Sequence, residues 1–235
     1  MRAVLLPHRW PGPPLLARLV ARPNRFLAIC RLGTAEVEAH VPDRGRCLDL
    51  LIPGQRVVLV AATGPLRRTL FTALLAEAKS APGVWVSLDP AGAPRLVEAA
   101  LGAGLLPSLS GLTVTRREVL VGRSRIDLLL SGEVLCEVKS VGAAQDGVAL
   151  FPDAPTLRGT RHLKLLAQRS RRGLRSAVVL CAQRGDVRAI AADAAIDPLF
   201  AKSLRAARRA GVLIAGLCCE ALPEGMRLLR EVPVW

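Results

Sequence analysis

Asp127, Glu137 and Lys139 are the residues of this sequence best spaced to do chemistry together. They lie in Ser124-Arg-Ile-Asp-Leu-Leu-Leu-Ser-Gly-Glu-Val-Leu-Cys-Glu-Val-Lys-Ser140, which reads as a β-hairpin with strands Ile126 to Leu130 and Val134 to Val138. Side chains alternate along a strand, so Ile126, Leu128 and Leu130 share one face and Arg125, Asp127 and Leu129 the other. On the second strand Val134, Cys136 and Val138 form the apolar set, opposite Glu133, Leu135, Glu137 and Lys139. Joining both apolar sets to one core requires a register pairing residues whose numbers sum to an even value, such as Ile126 with Val138. Asp127 then faces Glu137, and the turn holds an odd number of residues or a bulge.

Carboxylates so placed, with Cβ atoms roughly 4.5–5.5 Å apart, repel unless a cation intervenes. Lys139 supplies one positive charge; Mg²⁺ or Mn²⁺ would supply more, and hard oxygen ligands suit either ion. A metal held by Asp127 and Glu137 would polarise a phosphodiester and lower the pKa of bound water, while Lys139 orients that water or steadies developing charge. The same spacing also fits a solvated hairpin face whose Arg125, Asp127, Glu137 and Lys139 make ordinary cross-strand ion pairs.

The chain around this hairpin is strongly basic. Its 235 residues carry 33 Lys+Arg against 19 Asp+Glu, a formal net charge of +14, with a pI near 11.1. Polyanions are the natural partners. Arg outnumbers Lys 29 to 4, and guanidinium forks onto phosphate oxygens where an ammonium offers only a point charge. A drift of the whole composition toward Arg, Ala, Leu and Gly explains part of that excess, so clustering is the better guide. Hydrophobic residues at 51% and charged ones at 22% exclude wholesale disorder. No apolar run approaches the ~18 residues of a membrane-spanning helix, and Ala3 to Leu6 is too short for a secretion signal, so a cytoplasmic location without a membrane partner is expected. The six cysteines contain no CxxC spacing and read as reduced, mostly buried thiols.

Two regions position the hairpin. Residues 1–84 show short apolar runs (Phe26 to Cys30, Val57 to Ala61) and one alternating stretch, Glu36 to Val41, separated by turn-rich pieces such as Pro42-Asp-Arg-Gly45. That texture reads as a small all-β unit, although Arg67 to Lys79 has helical propensity. Residues 85–235 mix strands and helices. Helices are expected at Arg95 to Leu101, Arg158 to Ser170 and Leu199 to Ala210. Strands are expected at Glu118 to Val121, Ala177 to Ala182 and Val187 to Ala191, with Val212 to Leu217 as a final buried strand. The fold class is mixed α/β.

Ser124-Arg-Ile-Asp127, Glu137-Val-Lys-Ser-Val141 and Phe151-Pro-Asp-Ala-Pro-Thr-Leu-Arg-Gly-Thr-Arg-His-Leu163 together resemble the sugar fermentation stimulation protein family. The resemblance extends through Arg25-Phe-Leu-Ala28, His40-Val-Pro-Asp-Arg-Gly45, Pro53-Gly54 and Glu224-Gly-Met226, and so covers nearly the whole chain. It implies an OB-like β-barrel followed by a restriction-endonuclease-like domain of the PD-(D/E)xK type with a mixed central sheet, with Asp127, Glu137 and Lys139 matching the core triad. It also implies DNA binding and a regulatory role in sugar, notably maltose, metabolism; cleavage of DNA is the alternative reading. Glu118 matches a family glutamate ahead of the hairpin and is a candidate third metal ligand, or an exposed strand-end carboxylate. The chain departs from the family at Asp43-Arg44-Gly45, where Asn-Thr-Gly is usual, and at Ala93-Pro94-Arg95, where Pro-Asn-Arg is usual. The first change places a negative charge on a loop, so no phosphate-binding role passes to Asp43.

Arg158 to Arg175 holds seven basic residues and no acidic one. Leu163, Leu166 and Ala167 form the buried stripe of a helix there, leaving Arg161, Lys164, Arg169, Arg171 and Arg172 toward solvent. Without acidic partners such a face repels itself, which favours phosphate contact over simple solvation. The candidate nucleic-acid residues are therefore Arg125, Arg158, Arg161 and Lys164, with Arg171 and Arg172 further along. His162 joins them as a phosphate or active-site contact, with a structural hydrogen bond as the alternative. Phe26, Phe71 and Trp85 are the few aromatics of the first region available to stack on bases, and core packing competes for them. The expected partner is duplex or single-stranded DNA gripped through its backbone. The oligomeric state stays open, a homodimer among the options.

Overall fold

The computed structural model describes residues 4–10, 12–62 and 67–235. In chain order the strands are β1 (Val4–Pro7), β2 (Leu15–Asn24), β3 (Leu27–Leu32), β4 (Ala35–His40), β5 (Arg56–Ala61), β6 (Phe71–Glu77) and β7 (Trp85–Ser87). After helix α1 (Ala93–Gly102) come β8 (Val114–Val121), β9 (Ser124–Leu130), β10 (Val134–Val141), β11 (Ala144–Gln145) and β12 (Val148–Phe151). Helix α2 (Leu157–Arg171), β13 (Ser176–Ala182), β14 (Ala189–Ala192), α3 (Pro198–Arg209), β15 (Leu213–Leu222) and β16 (Gly225–Val232) complete the chain.

The first region is a closed five-stranded barrel in the order β4-β3-β2-β5-β6, sealed by the parallel pairing of Ala39 with Phe71 and His40 with Thr72. Closure removes the open edges that would otherwise invite intermolecular pairing. The helical propensity around Arg67 to Lys79 loses to this pairing: β6 lies between β5 and β7 and buries Thr72 through Ala76 completely or nearly so. Two short strands lie across the boundary expected at residue 84. β7 pairs with β6 of the barrel, and β1 pairs antiparallel with β16 in the other sheet.

The second region is built on a seven-stranded mixed sheet, β1-β16-β15-β13-β10-β9-β8, whose central β10, β13 and β15 run parallel. Helix α1 packs on one face with Leu128, Leu130, Val134, Cys136 and Val138. Helices α2 and α3 cover the other face with Leu129, Leu135, Leu163, Leu166 and Phe200. Because both faces are covered, the strands are nearly continuous in hydrophobicity, as in Ser176–Ala182. The sequence reading ended the sheet at Val212 to Leu217; β16 follows and lies between β15 and β1.

The hairpin register is the expected one. Leu130 pairs with Val134, Leu129 with Leu135 and Leu128 with Cys136, across the three residues 131–133, with Gly132 and Glu133 at φ 69° and 57°. Its polar face is not solvated, however. Leu129 and Leu135 are buried under α2 and α3, Ile126 joins that second core rather than the first, and Glu137 is only 2% exposed. Helix α2 is fixed over this face by Thr156, whose hydroxyl accepts from the Gly159 N–H at 3.0 Å. Gly159 itself lies against Phe200 of α3, where a Cβ would come within 3.2 Å of the ring. Arg169 and Arg171 in the last turn suit the negative end of the helix dipole. Among the described residues no helix is long and apolar enough to cross a membrane.

Candidate active site

β9 and β10 stop pairing after Leu128–Cys136, and a side chain takes over the separation. The Val138 N–H donates to Asp127 Oδ2 at 2.7 Å. The ladder thus ends before the carboxylates, and the side chain of Asp127 meets β10 at Val138, the residue next to Glu137. Burial raises the pKa of Asp127 to about 6, and the negative charge of Glu137 adds to the rise; the Val138 N–H and Lys139 oppose it.

Glu137 receives different treatment. Burial pushes its carboxyl up, but His162 and Lys139 together outweigh that and hold it below the ordinary range. Both act on one oxygen: His162 Nδ1–H donates to Oε1 at 2.6 Å, and the Lys139 ammonium donates to the same atom. The other oxygen, Oε2, is buried without a partner. A buried carboxylate oxygen left unpaired is costly unless something cationic meets it. Hard oxygen donors, one already orphaned, fit a divalent ion held by Asp127 and Glu137. Among the described residues no three acidic, histidine or cysteine side chains converge as a metal cluster.

Glu118 lines the same cleft as these carboxylates but is held by Arg125. It falls between residues paired with Leu128 and Ile126, hence opposite Asp127, but its Oε2 accepts from Arg125 Nη1 at 3.0 Å. Its backbone is left-handed at φ 57°, unusual inside a strand, and its side chain is 61% exposed. Glu118 lines the cleft from within β8, paired with Arg125, rather than from a strand end.

The carboxylates open into a cleft of about 630 Å³ that both regions build. The hairpin forms its floor. Barrel residues Asp43 and Arg46 to Leu50 form a roof that sequence reasoning did not foresee. That roof is latched: the Cys47 N–H donates to Asp153 Oδ2 at 3.1 Å, and Arg22 Nη2 donates to the Gly45 carbonyl at 2.9 Å. Gly45 has no room for a side chain, because a Cβ there would run into the Asp153 carboxylate. Asp43 points its Oδ1 at the Gly45 N–H, 2.8 Å away; burial raises its carboxyl above the ordinary range, and Asp153 adds to the rise. The Asp43-Arg44-Gly45 turn thus meets the Phe151–Leu163 motif across the cleft.

The basic residues divide. Arg158 lines the cleft at the start of α2, and Arg161 is exposed one turn on. Lys164 and Arg171 flank a groove between α2 and α3, beside Lys202, and Arg172 is exposed at the helix end. Thirteen positions of α-helix separate Arg158 from Arg171, about 20 Å. Arg169 Nη2 instead donates to the Glu133 carbonyl at 2.9 Å and ties the helix to the hairpin turn. His162 is not on this surface. At 1% exposure it offers nothing to a nucleic acid, and its partner is Glu137. The signal was in the spacing: His162 stands four residues before Leu166, on the buried stripe.

Comparison with known proteins matches this arrangement from end to end. The sugar fermentation stimulation protein RE domain matches residues 92–225, and the SfsA N-terminal OB domain matches residues 20–88. The chain belongs to the sugar fermentation stimulation protein family. A family homolog from Chloroflexus aurantiacus is 45% identical over 95% of this chain and 87% of its own length. One from Alkalilimnicola ehrlichii is 45% identical over 92% of this chain and 94% of its own. The solved structure of Pyrococcus furiosus SfsA in complex with Ca²⁺ is similar with a TM-score of 0.86 and 27% identity, covering 98% of this chain and 99% of that one. In this chain the two matched parts are the barrel and the mixed sheet, and both line the cleft.

Proposed function

We propose that the cleft hydrolyses phosphodiester bonds of nucleic acid with a divalent metal ion, Mg²⁺ or Mn²⁺, held between Asp127 and Glu137. The observation that carries this reading is Glu137 Oε2, a buried carboxylate oxygen without a partner, beside a second carboxylate whose pKa is raised. Ca²⁺ in the Pyrococcus furiosus relative supports it, since Ca²⁺ and Mg²⁺ both choose hard oxygen ligands. A bound ion would polarise the phosphoryl oxygens and lower the pKa of a coordinated water. The protein's own part is positional. His162 and Lys139 fix one oxygen of Glu137 and leave the other free, the Val138 N–H fixes one oxygen of Asp127, and Arg158 meets phosphate at the cleft wall.

The test incubates the purified chain with labelled DNA, with and without Mn²⁺, beside Asp127→Asn and Glu137→Gln. Metal-dependent cleavage lost in both variants supports the reading; cleavage that survives in either removes it. A second reading, binding without cleavage, draws on the basic stripe from Arg158 to Arg172. It expects salt-sensitive binding that weakens when Arg161, Lys164, Arg171 and Arg172 become Ala, with the salt slope falling by up to about 3. A regulatory role in sugar metabolism would act through this same contact with nucleic acid.

A further inference from the structure

The cleft is narrow for the molecule it is proposed to act on. Glu137 is 2% exposed and Asp127 half-buried, and both share the cleft with barrel residues Asp43 and Arg46 to Leu50, tied to the second region by the Cys47–Asp153 hydrogen bond. A volume of about 630 Å³ falls within the roughly 300–1,000 Å³ that encloses one small-molecule ligand. Duplex DNA, whose major groove alone is about 12 Å wide, is large beside a cleft of this volume, and its stiffness limits how far a backbone phosphate can follow the wall down to the half-buried Asp127 and the buried Glu137. A single strand follows it more readily, because it bends at every residue.

The walls suit a base as well as a phosphate. Leu48, Leu50, Pro94, Phe151 and Ile196 line the cleft beside the carboxylates, and Leu48 is 74% exposed. Arg46 and Arg158 supply cations from the two regions. Immediately outside, Phe26 lies on the barrel surface at 38% exposure, with the Arg25 guanidinium 4.9 Å and the Arg44 guanidinium 5.4 Å from its ring centroid. Arg44 is the chain neighbour of Asp43, which lines the cleft, so the platform leads into it. Both guanidiniums lie over the ring, so a base would take the place of one of them, and the displaced arginine would then follow the backbone, the combination of stacking and cations that holds an unpaired strand.

We propose that the cleft takes a single-stranded polynucleotide and excludes duplex, with the strand stacking on Phe26, passing Arg44 and Arg46, and presenting one phosphate to Asp127 and Glu137. This rests on the hydrolytic reading above. The chemistry shared by DNA and RNA strands is enough for it, and the experiment separates the two.

The full chain with Mn²⁺ is given four end-labelled substrates of one sequence: a DNA strand, an RNA strand, blunt duplex DNA, and that duplex carrying a single-stranded tail. Cleavage of either strand, trimming of the tail to the junction, and a blunt duplex cut at least about tenfold more slowly support the proposal, and the strand ratio assigns the sugar. A blunt duplex cut as fast as the strand overturns it and leaves hydrolysis standing. If nothing is cut, hydrolysis fails, and anisotropy with Ca²⁺ in place of Mn²⁺ decides strand preference by itself. Single strand must then bind roughly tenfold tighter than duplex, and equal binding overturns the proposal. Phe26→Ala weakens strand binding about tenfold, the scale of one lost stack, and Phe26→Trp restores it. A Phe26→Trp protein as weak as Phe26→Ala removes the platform from the path.

Discussion

Glu77 in the barrel and Glu137 in the cleft are both glutamates largely withdrawn from water, and their surroundings treat them in opposite ways. Both oxygens of Glu77 are used: Arg56 Nε donates to Oε2 at 2.7 Å, while Arg56 Nη2 and the Gly83 N–H donate to Oε1. The Arg56 guanidinium, with Gly83, holds its carboxyl down to about 2. Glu137 has two donors on one oxygen and none on the other, with a second carboxylate for a neighbour. A saturated carboxylate is a fastening between strands. A half-saturated one beside another negative charge has the chemistry of the proposed cation site.

The largest effects follow from separating the two acids. Glu137→Gln is expected to lower Mn²⁺-dependent cleavage by at least about 10²-fold, since it neutralises a proposed metal ligand. Glu77→Gln leaves that rate unchanged within about twofold. Single-turnover cleavage measured on both proteins decides; equal losses would show that the cleft depends on barrel integrity rather than on its own charge. Next comes His162→Gln, expected to cost roughly 10–100-fold, the usual range when a group that orients a metal ligand is changed. Its effect falls on metal affinity, read as a higher Mn²⁺ concentration at half-maximal rate. A loss at saturating Mn²⁺ with no change in that concentration would contradict a positioning role.

Much of this contrast was legible before any coordinates. Core matching gave the hairpin register through Leu128–Cys136. Beyond it the expected pairing of Ile126 with Val138 is not made, because Ile126 turns to the second core, and Asp127 reaches β10 through the Val138 N–H instead. Helices α1, α2 and α3 lie within a few residues of their expected limits, since 3.6-residue periodicity is a local signal. The long-range parts were hidden. Nothing near Gly45 says that Asp153 will press against it, and nothing near Val4 says that it will pair with Leu228 at the other end of the chain. Arg184 was missed for the same reason. Its buried guanidinium serves Asp186, a local partner, and the carbonyl of Gly142, which the sheet brings up from 42 positions away. β6 was hidden because barrel closure overrides a helical propensity.

Stability sharpens the comparison on a smaller scale. Glu77→Gln is expected to cost roughly 1–2 kcal/mol, discounted because Arg56 is 39% exposed. The carboxyl of Glu77 lies lower in the folded chain than in the unfolded one. Its contribution is therefore complete above about pH 4.5 and fades as pH falls toward 2. Denaturant melts of variant and parent at pH 7 and pH 3 should differ by less at the lower pH. A gap that stays constant would mean that the pair is not what fastens β5 to β6.

Asp127 predicts the opposite sign and the smallest change. Its carboxyl lies higher in the folded chain, at about 6, than in an unfolded one, so the folded state binds its proton more tightly. The ionised group opposes folding at every pH above 6, and that opposition disappears as pH falls from 6 to 4. In chelator-treated protein, Asp127→Asn should therefore be more stable than the parent at pH 8, by on the order of 1 kcal/mol after allowing for the lost Val138 hydrogen bond. The advantage should shrink to nothing near pH 4, the reverse of the Glu77 profile. Added Mn²⁺ should then raise the melting temperature of the parent and leave that of Asp127→Asn unmoved, because an ion that binds only the folded state stabilises it in proportion to its affinity. A parent protein indifferent to Mn²⁺ would mean that the charge in the cleft is balanced by the protein alone.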